Sequence, residues 1–307
     1  MQPQKFLCPA IPLCYTETME QLCTLCPRRC GTDRSKTKGL CGAPDTLLLA
    51  RAALHHWEEP CLSGRQGSGA VFFCGCNMGC AFCQNYDISQ TPTGKPVTPA
   101  RLQEIFGELK AQGAHNTNLV TPTHYTEQLL PLLDGIDLPV VWNSSAFESV
   151  DTLRKLQGKV DIYLPDCKFS DPALAKQLSH APDYPQVARD AIMEMYRQTG
   201  DYVMENGLLR SGVLIRHLVL PGYVENSLRV IDWVADTFSR GQVLFSLMSQ
   251  YTPYRELDDP NLNRRLTKKE WIKVRNYMKK KGITKGYVQD LSSAQEEYTP
   301  AFDFTGL

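Results

Sequence analysis

The stretch VFFCGCNMGCAFC, residues 71–83, carries the strongest indication of fold and chemistry in this sequence. Its first residues belong to the apolar run Ala70–Phe73, which has glycines on both sides. This run predicts a buried strand. Directly after this run comes a loop with three cysteines, Cys76, Cys80 and Cys83, at the spacing C-x3-C-x2-C. The sequence therefore predicts a strand that leads directly into a loop carrying three thiols.

Three thiolates on one loop suit zinc or an iron–sulfur cluster. An ordinary electron-transfer cubane takes four cysteines, so a cluster with three would leave one iron open to a small molecule. Gly75 and Gly79 allow the backbone to wrap closely around such a bulky group. Cys74 lies two residues before Cys76 and is expected to be a core residue of the strand rather than a fourth ligand.

Strand-like and helix-like segments alternate after this loop. The predicted strands are Asn118–Thr121, Pro139–Asn143, Val160–Leu164, Val213–Leu220 and Gln242–Leu247. The predicted helices are Pro99–Gln112, Thr126–Leu133, Ala146–Gln157, Pro185–Thr199 and Ser227–Ser239. With the first strand this makes six strands alternating with helices, which favours an α/β fold of parallel βαβ units wound into an open or closed barrel. The carboxyl ends of the strands are then the expected place of the chemistry.

Three parts follow from this pattern. Residues 1–60 predict an irregular, cysteine-rich N-terminal extension, residues 61–255 the barrel, and residues 256–307 a C-terminal helix and tail packed on it. Within the last part, Arg264–Lys285 holds ten basic residues and one acid, with apolar residues at helical spacing. We expect a helix with a solvated cationic face; a docking surface for an acidic partner or nucleic acid is the alternative.

Composition excludes several functions. The 307 residues, 42% of them hydrophobic, are enough for a large core. The 33 basic and 33 acidic residues give a net charge of zero, which argues against a nucleic-acid protein that works by bulk charge. No apolar run approaches ~18 residues and the first residues lack the apolar core of a secretory signal, so we expect no membrane span and a cytoplasmic location.

Cysteine is unevenly distributed, since eleven of the 12 cysteines fall at or before Cys83. In a reducing cytoplasm, clustered cysteines indicate metal ligands or redox groups. Scattered ones such as Cys8, Cys14 and Cys61 are expected to be small buried hydrophobes.

A second cysteine cluster lies in the N-terminal extension. Its four thiols have the spacing C-x2-C-x3-C-x10-C and belong to Cys23, Cys26, Cys30 and Cys41. Four thiolates on a compact loop suit zinc or a second [4Fe–4S] cluster, with redox-active or unligated thiols as the remaining interpretation. Because the extension precedes the barrel, it could cap the mouth, pass an electron, shape the substrate site or stabilise its own segment.

The cysteine loop, with an aromatic residue before its last cysteine, resembles that of the radical S-adenosylmethionine (SAM) superfamily. The likeness covers roughly residues 20–305; it extends to the pyruvate formate-lyase activating enzymes and is closer still to their PflX-like branch. The motifs that carry it are Cys26–Gly31, His56–Pro60, Ser63-Gly64, Gly67–Gly69, Cys83–Asn85, Val120–His124, Leu164–Lys168, Arg216–Gly222 and Ser246–Tyr251.

This resemblance implies a partial (β/α)6 barrel with a [4Fe–4S] cluster held by Cys76, Cys80 and Cys83. The open iron would bind the amino and carboxylate groups of SAM. One-electron reduction would then release a 5′-deoxyadenosyl radical that abstracts hydrogen from a substrate. The implied partners are an electron donor such as flavodoxin or ferredoxin, and a glycyl radical enzyme or another protein or peptide substrate.

Individual SAM contacts carry over from the resemblance. Phe82 would pack against the adenine, with a core aromatic as the alternative. Asp166 and Lys168 match an Asp-Leu-Lys that contacts SAM, with an internal or surface ion pair as the alternative. The residues that would complete the site are Asn143, Ser144, Ser145, Gln250 and Tyr251; helix N-capping suits the first three nearly as well.

The sequence departs from the activating enzymes at the end of the second predicted strand. Where they have Gly-Gly-Glu, this chain has Thr121-Pro122-Thr123. The SAM amino group must therefore meet hydroxyls such as those of Thr121 and Thr123, carbonyls or another residue.

Four further residues are weighed for substrate contact. Strand alternation points Arg216 and His217 to opposite faces, so only one of them can face the interior. Arg216 could hold a carboxylate through two hydrogen bonds, whereas His217 is expected to be a satisfied core residue. Glu58 and Glu59 precede the first barrel strand and are expected to be exposed loop residues.

Three functions remain open at this point. The chain activates a glycyl radical enzyme by abstracting hydrogen from a glycine, or it acts directly on a small molecule or peptide. The third is a non-catalytic metal-binding or electron-transfer protein, which would not cleave SAM.

Overall fold

A computed structural model describes residues 22–90, 93–293 and 299–307 of the chain. The first 21 residues of the predicted extension, with Cys8 and Cys14, lie outside the described residues, whereas Cys61 is buried as expected. The strands are β1 (Leu48–His55), β2 (Ser68–Phe73), β3 (Lys95–Pro96), β4 (Thr117–Val120), β5 (Val140–Ser144), β6 (Ile162–Pro165), β7 (Val203–Glu205), β8 (Leu208–Leu218), β9 (Leu244–Met248) and β10 (Gly286–Val288).

The sheet runs in the order β10-β9-β8-β6-β5-β4-β2-β1-β3. Neighbouring strands from β2 through β9 along this path pair in parallel, and β10 joins β9 in the same direction. These six consecutive parallel strands are the six predicted from the alternation, so the α/β fold class with its parallel sheet is confirmed. β1 is an addition to the prediction, since it pairs antiparallel with β2 in a region expected to be irregular.

Nine α-helices occur in the part of the chain that the structure describes. They are α1 (Pro60–Ser63), α2 (Tyr86–Ser89), α3 (Pro99–Ala111), α4 (Thr126–Leu133), α5 (Val150–Lys155), α6 (Pro172–Ser179), α7 (Tyr184–Thr199), α8 (Val224–Thr237) and α9 (Lys268–Lys280). The predicted bounds of α4 are correct, but α5 begins four residues later than predicted. α6 was not predicted; Asp171 caps it by accepting from the backbone N–H groups of Ala173 and Leu174.

The two faces of the sheet are buried differently. On one face, large side chains such as Trp142 and Tyr163 pack into the main core together with helix residues. On the other face, the segment between β1 and β2 fills the space at the sheet, where Cys61 and Leu62 pack into a second core. The strand residues of that core are Val141, Ile162, Leu164, Leu209, Leu214 and Leu244.

The C-terminal part closes the architecture. The helix predicted from the basic segment is α9, and its apolar residues Trp271, Val274 and Met278 are buried as expected. The last residues run along β1, where the N–H of Ala52 donates to Thr305 O and that of Phe304 donates to Ala50 O. None of the described helices combines the length and apolarity needed to cross a membrane.

Candidate active site

The cysteine loop begins where β2 ends and is held tightly by its surroundings. The N–H of Cys76 donates to the carbonyl oxygen of Cys41 at 2.9 Å. Gly75 has φ +87°, and a Cβ at this position would lie 2.6 Å from the Cys41 carbonyl oxygen. A side chain is therefore excluded here both by conformation and by space.

The three thiols of the loop are free and lie close to one another. The hydroxyl of Ser179 donates to Cys80 Sγ at 3.1 Å, and that of Ser89 donates to Cys83 Sγ at 3.4 Å. Burial and, to a lesser extent, the neighbouring Cys80 and Cys83 together raise the pKa of Cys76 to about 12. A thiolate in such a place needs a compensating cation, so the donor set fits a metal cluster better than free thiolates.

A cavity of about 410 Å³ opens beside these thiols. Cys80, Phe82 and Cys83 form part of its wall, and Gly79 at the surface of the loop has open space around its Cα. Because the three cysteines leave one position of a [4Fe–4S] cluster without a protein ligand, a small molecule in this cavity would reach that position. The residues present therefore fit the cluster.

Charged and polar side chains from β5, β8 and the segments that follow β1 and β6 meet in this cavity around Arg216. Its guanidinium donates to Asp166 at 2.9 Å, to Glu58 at 3.0 Å and to Asn143 Oδ1 at 2.6 Å. The ammonium of Lys168 donates to the other oxygen of Asp166 at 2.7 Å. All five residues line the cavity, so the prediction that only one of Arg216 and His217 faces the interior is confirmed for Arg216.

The electrostatics of this network favour the charged forms of Asp166 and Lys168. Burial would raise the pKa of Asp166, but Arg216 and Lys168 hold it below its usual range. Burial would lower the pKa of Lys168, but Asp166 and the thiol of Cys80 raise it above its usual range. The cation of Lys168 therefore lies between a carboxylate and the cysteine loop.

Glu58 and Glu59 correct the sequence-based expectation of exposed loop residues. Both line the cavity, and each is about 9% exposed. Burial raises the pKa of Glu59, and its Oε2 atom has no hydrogen-bond partner within the described residues. Their pattern in the sequence is that of an ordinary polar loop, and only the long-range contact of Glu58 with Arg216 reveals them.

The predicted SAM residues separate into two groups. Those that line the cavity are Phe82, Asn143, Asp166, Lys168 and Gln250. The others point elsewhere: Thr123 donates to Glu148 at 2.7 Å, and Ser145 Oγ accepts from the N–H of Phe147. Thr121 is half-buried with φ +61°. Helix α5 begins after Ser149, so Asn143, Ser144 and Ser145 do not cap it.

A buried carboxylate lies next to Thr121-Pro122-Thr123, the segment that stands in place of the Gly-Gly-Glu motif. Glu148 accepts from Thr123 and, at 3.1 Å, from the indole N–H of Trp142. Burial raises its pKa, and its Oε2 atom has no partner among the residues described. Sequence reasoning found no carboxylate for this position because Glu148 comes from the next βα connection.

His124, His217 and Tyr251 are core residues. His217 donates from Nδ1 to Cys167 O and accepts at Nε2 from Ser227, and burial lowers its pKa to about 4. His124 bonds to Cys74 O, and burial lowers its pKa to about 3. Tyr251 is buried and donates to Leu262 O.

The four cysteines of the extension pack behind the cysteine loop rather than over the mouth. None of these four cysteines lines the cavity; the part of the predicted extension that does is its end, where His55, Trp57 and Glu58–Pro60 form part of the wall. Arg28 connects the two regions by donating to Asn77 O at 2.8 Å and to Ser179 O at 2.9 Å. In neither cysteine set, as far as the structure describes the chain, do three ligand side chains converge on a single metal ion.

A parallel (β/α)6 sheet, three cysteines on one loop and a charged cavity beside two of them are the features of a protein that binds an iron–sulfur cluster. The family model described as a 4Fe-4S single cluster domain matches residues 63–178, which include β2 and the cysteine loop. The chain belongs to the family of the uncharacterized protein MJ0674 of Methanocaldococcus jannaschii. The two are 32% identical over 263 residues, which cover 81% of this chain and 71% of the relative.

Several solved structures share part of the fold. SuiB of Streptococcus suis is 13% identical, with 72% of this chain and 49% of SuiB covered and a TM-score of 0.49. Methylornithine synthase (PylB) is 13% identical, with 69% and 68% covered and a TM-score of 0.45. This chain thus spans about half the length of SuiB. These solved structures are too distant to assign a function to the chain. The assignment depends on the cysteine loop, the cavity and the family of MJ0674.

Proposed function

We propose that this chain cleaves SAM reductively and that the radical so formed abstracts hydrogen from a small polar substrate in the central cavity. The supporting observation is that Cys80 and Cys83 border the same cavity as the network around Arg216. Its sequence motifs support a place near the pyruvate formate-lyase activating enzymes, in the PflX-like branch.

The residues of the cavity suit a zwitterionic cofactor such as SAM. When bound, the cluster supplies the electron that cleaves the sulfonium. Lys168 offers a cation to a carboxylate, and Asp166 offers an anion to an ammonium group, both within the cavity wall. Phe82 is buried against Phe169 with ring centroids 6.0 Å apart, and it offers an apolar surface to an aromatic base.

Glu58 and Glu59 support a substrate with hydrogen-bond donors. Glu58 is already bonded to Arg216 and Asn118, whereas Glu59 keeps one buried oxygen without a partner in the described chain. A buried polar atom in a cavity wall gains most when a ligand supplies its missing hydrogen bond. We therefore expect an amine or hydroxyl group of the substrate at Glu59.

The test is 5′-deoxyadenosine formation from SAM by the anaerobically reconstituted protein with a strong reductant. Cys76→Ala, Cys80→Ala and Cys83→Ala should each abolish it. Lys168→Met should weaken SAM binding, measured separately by equilibrium dialysis. Iron-loaded wild type that neither binds nor cleaves SAM would refute the proposal and favour an electron-transfer protein.

A polypeptide substrate, such as the glycine loop of a glycyl radical enzyme, is the second candidate. It is favoured by Trp57 and Val288, which line the cavity and are nevertheless 56% and 41% exposed. Large exposed apolar residues at a cavity mouth suit a protein partner. Deuterium transfer from a glycine-labelled partner into 5′-deoxyadenosine would support this candidate, whereas transfer from labelled small-molecule pools would support the first.

A further inference from the structure

Outside the cavity, the cysteines of the N-terminal extension form a second group of adjacent thiols. The thiol of Cys41 interacts electrostatically with those of Cys23 and Cys30, and that of Cys26 interacts with Cys23 and Cys41. All four are free. The fold therefore brings together four thiols that are up to 18 positions apart in the sequence.

A glycine leaves room between two of these thiols. A Cβ at Gly39 would lie 3.3 Å from Cys41 Sγ and 3.6 Å from Cys30 Sγ. The backbone of Gly39 is not in the left-handed region, so the space, and not the conformation, favours glycine there. Open space of this kind beside two thiols suits a bulky inorganic group.

This thiol group is joined directly to the cysteine loop of the active site. The Cys41 carbonyl accepts from the N–H of Cys76, and the side chain of Asn77 bonds to the thiol of Cys26. Cys41 and Cys76, one proposed ligand from each site, are thus linked by a single hydrogen bond, without an intervening layer of side chains. Two redox centres held at such contact can exchange electrons.

The extension also offers a surface to a protein partner. Cys23 and Cys30 are half-buried, as Cys76 and Cys83 of the loop are, whereas Cys26 and Cys41 are buried. Leu22 and Leu40, which lie next to Cys23 and Cys41, are 55% and 73% exposed. An electron carrier bound at this surface would therefore lie beside the outer thiol group.

We propose that Cys23, Cys26, Cys30 and Cys41 hold a second [4Fe–4S] cluster that relays electrons to the cluster at Cys76, Cys80 and Cys83. The electrons come singly from a reduced flavodoxin- or ferredoxin-type carrier. In each step the carrier is oxidised by one electron, the outer cluster is reduced and then reoxidised, and the inner cluster is reduced. The existence of the outer cluster is independent of the proposed function, but the use of its electrons rests on it.

Metal content tests the site without any activity. The full chain is reconstituted anaerobically as wild type, Cys30→Ser/Cys41→Ser, Cys80→Ser/Cys83→Ser and Cys74→Ala; Cys74 is a buried cysteine outside both groups. We expect about eight irons per chain in wild type and Cys74→Ala, and about four in each double variant. About four irons with one zinc in wild type would overturn the proposal, and so would an unchanged iron content in Cys30→Ser/Cys41→Ser.

A variant that keeps every thiol controls for the loss of iron through misfolding of the cysteine variants. Gly39→Ala should lower the iron content toward about four, whereas Gly107→Ala, at an open position of α3, should keep it at about eight. Full iron content in Gly39→Ala would contradict a cluster bound in the space beside Gly39.

Spectroscopy and reduction kinetics test the relay. The reduced wild type should show an electron paramagnetic resonance spectrum broadened by coupling of two clusters, and each double variant the narrow signal of one. Reduced flavodoxin should reduce the inner cluster in wild type but not in Cys30→Ser/Cys41→Ser, while dithionite reduces both. Equal reduction by flavodoxin would refute the relay, and loss of SAM cleavage with dithionite in wild type would instead count against the proposed function.

Discussion

Arg28 gives the sharpest test of how the extension supports the active site. Its guanidinium donates to four carbonyl oxygens, those of Asn77 and Met78 in the cysteine loop and those of Ser179 and His180 at the C-terminal end of α6. It also lies over the ring of Phe147, 5.1 Å from the centroid. Arg28→Met removes all of these donors and keeps much of the side-chain volume.

Its effect can be worked out from these contacts. Bonds from a charged donor contribute about 1.5–3 kcal/mol where they are buried, but the His180 bond is exposed and water replaces part of the others. About 1 kcal/mol for each of the two part-buried bonds to the loop gives about 2 kcal/mol for closure of the loop. This corresponds to an opening equilibrium about thirtyfold more favourable.

The assay is iron release from the reconstituted protein to a ferrous chelator under anaerobic conditions. If release passes through opening of the loop, Arg28→Met should release iron from Cys76, Cys80 and Cys83 about thirtyfold faster. Arg29→Met, at the exposed neighbouring residue, is the matched control and should behave as wild type. Release at the wild-type rate from Arg28→Met would show that the extension does not hold the loop.

Three further predictions concern buried charges. Arg216→Met should lower the free energy of unfolding by about 3–5 kcal/mol in urea titrations, because it leaves Glu58 without its cation and Asp166 with Lys168 alone; a loss below about 1 kcal/mol would contradict this. The pKa of His217 falls to about 4 in the folded chain, so its contribution to stability is complete above about pH 6.5 and is lost as pH falls toward 4. Thermal unfolding between these pH values should show a free energy of unfolding that depends less on pH in His217→Gln, by about 1.4 kcal/mol per pH unit. Because burial raises the pKa of Glu148, its contribution to stability falls as pH rises above about 4.5, and Glu148→Gln should remove that fall. Glu148→Leu, by contrast, should lose about 2–4 kcal/mol, because Trp142 and Thr123 then lack their acceptor; equal stability of the two variants would contradict this account.

The sequence by itself determined the features that depend on neighbouring residues. Six strands and most of their helices follow from local apolar periodicity, and the C-x3-C-x2-C loop is complete within eight positions. The opposite orientations of Arg216 and His217 follow from strand alternation alone, because successive side chains of a strand point to opposite faces.

The tertiary structure decided what depends on distant contacts. β1 was missed because its sequence lacks strict alternation and its pairing comes from β2. Glu58 enters the cavity because it meets Arg216, 158 positions away, and the extension packs behind the loop because Arg28 reaches Ser179 and His180. Burial and pairing of this kind arise only when separate segments meet, since the free energy of a charge depends on its surroundings rather than on its neighbours in the chain.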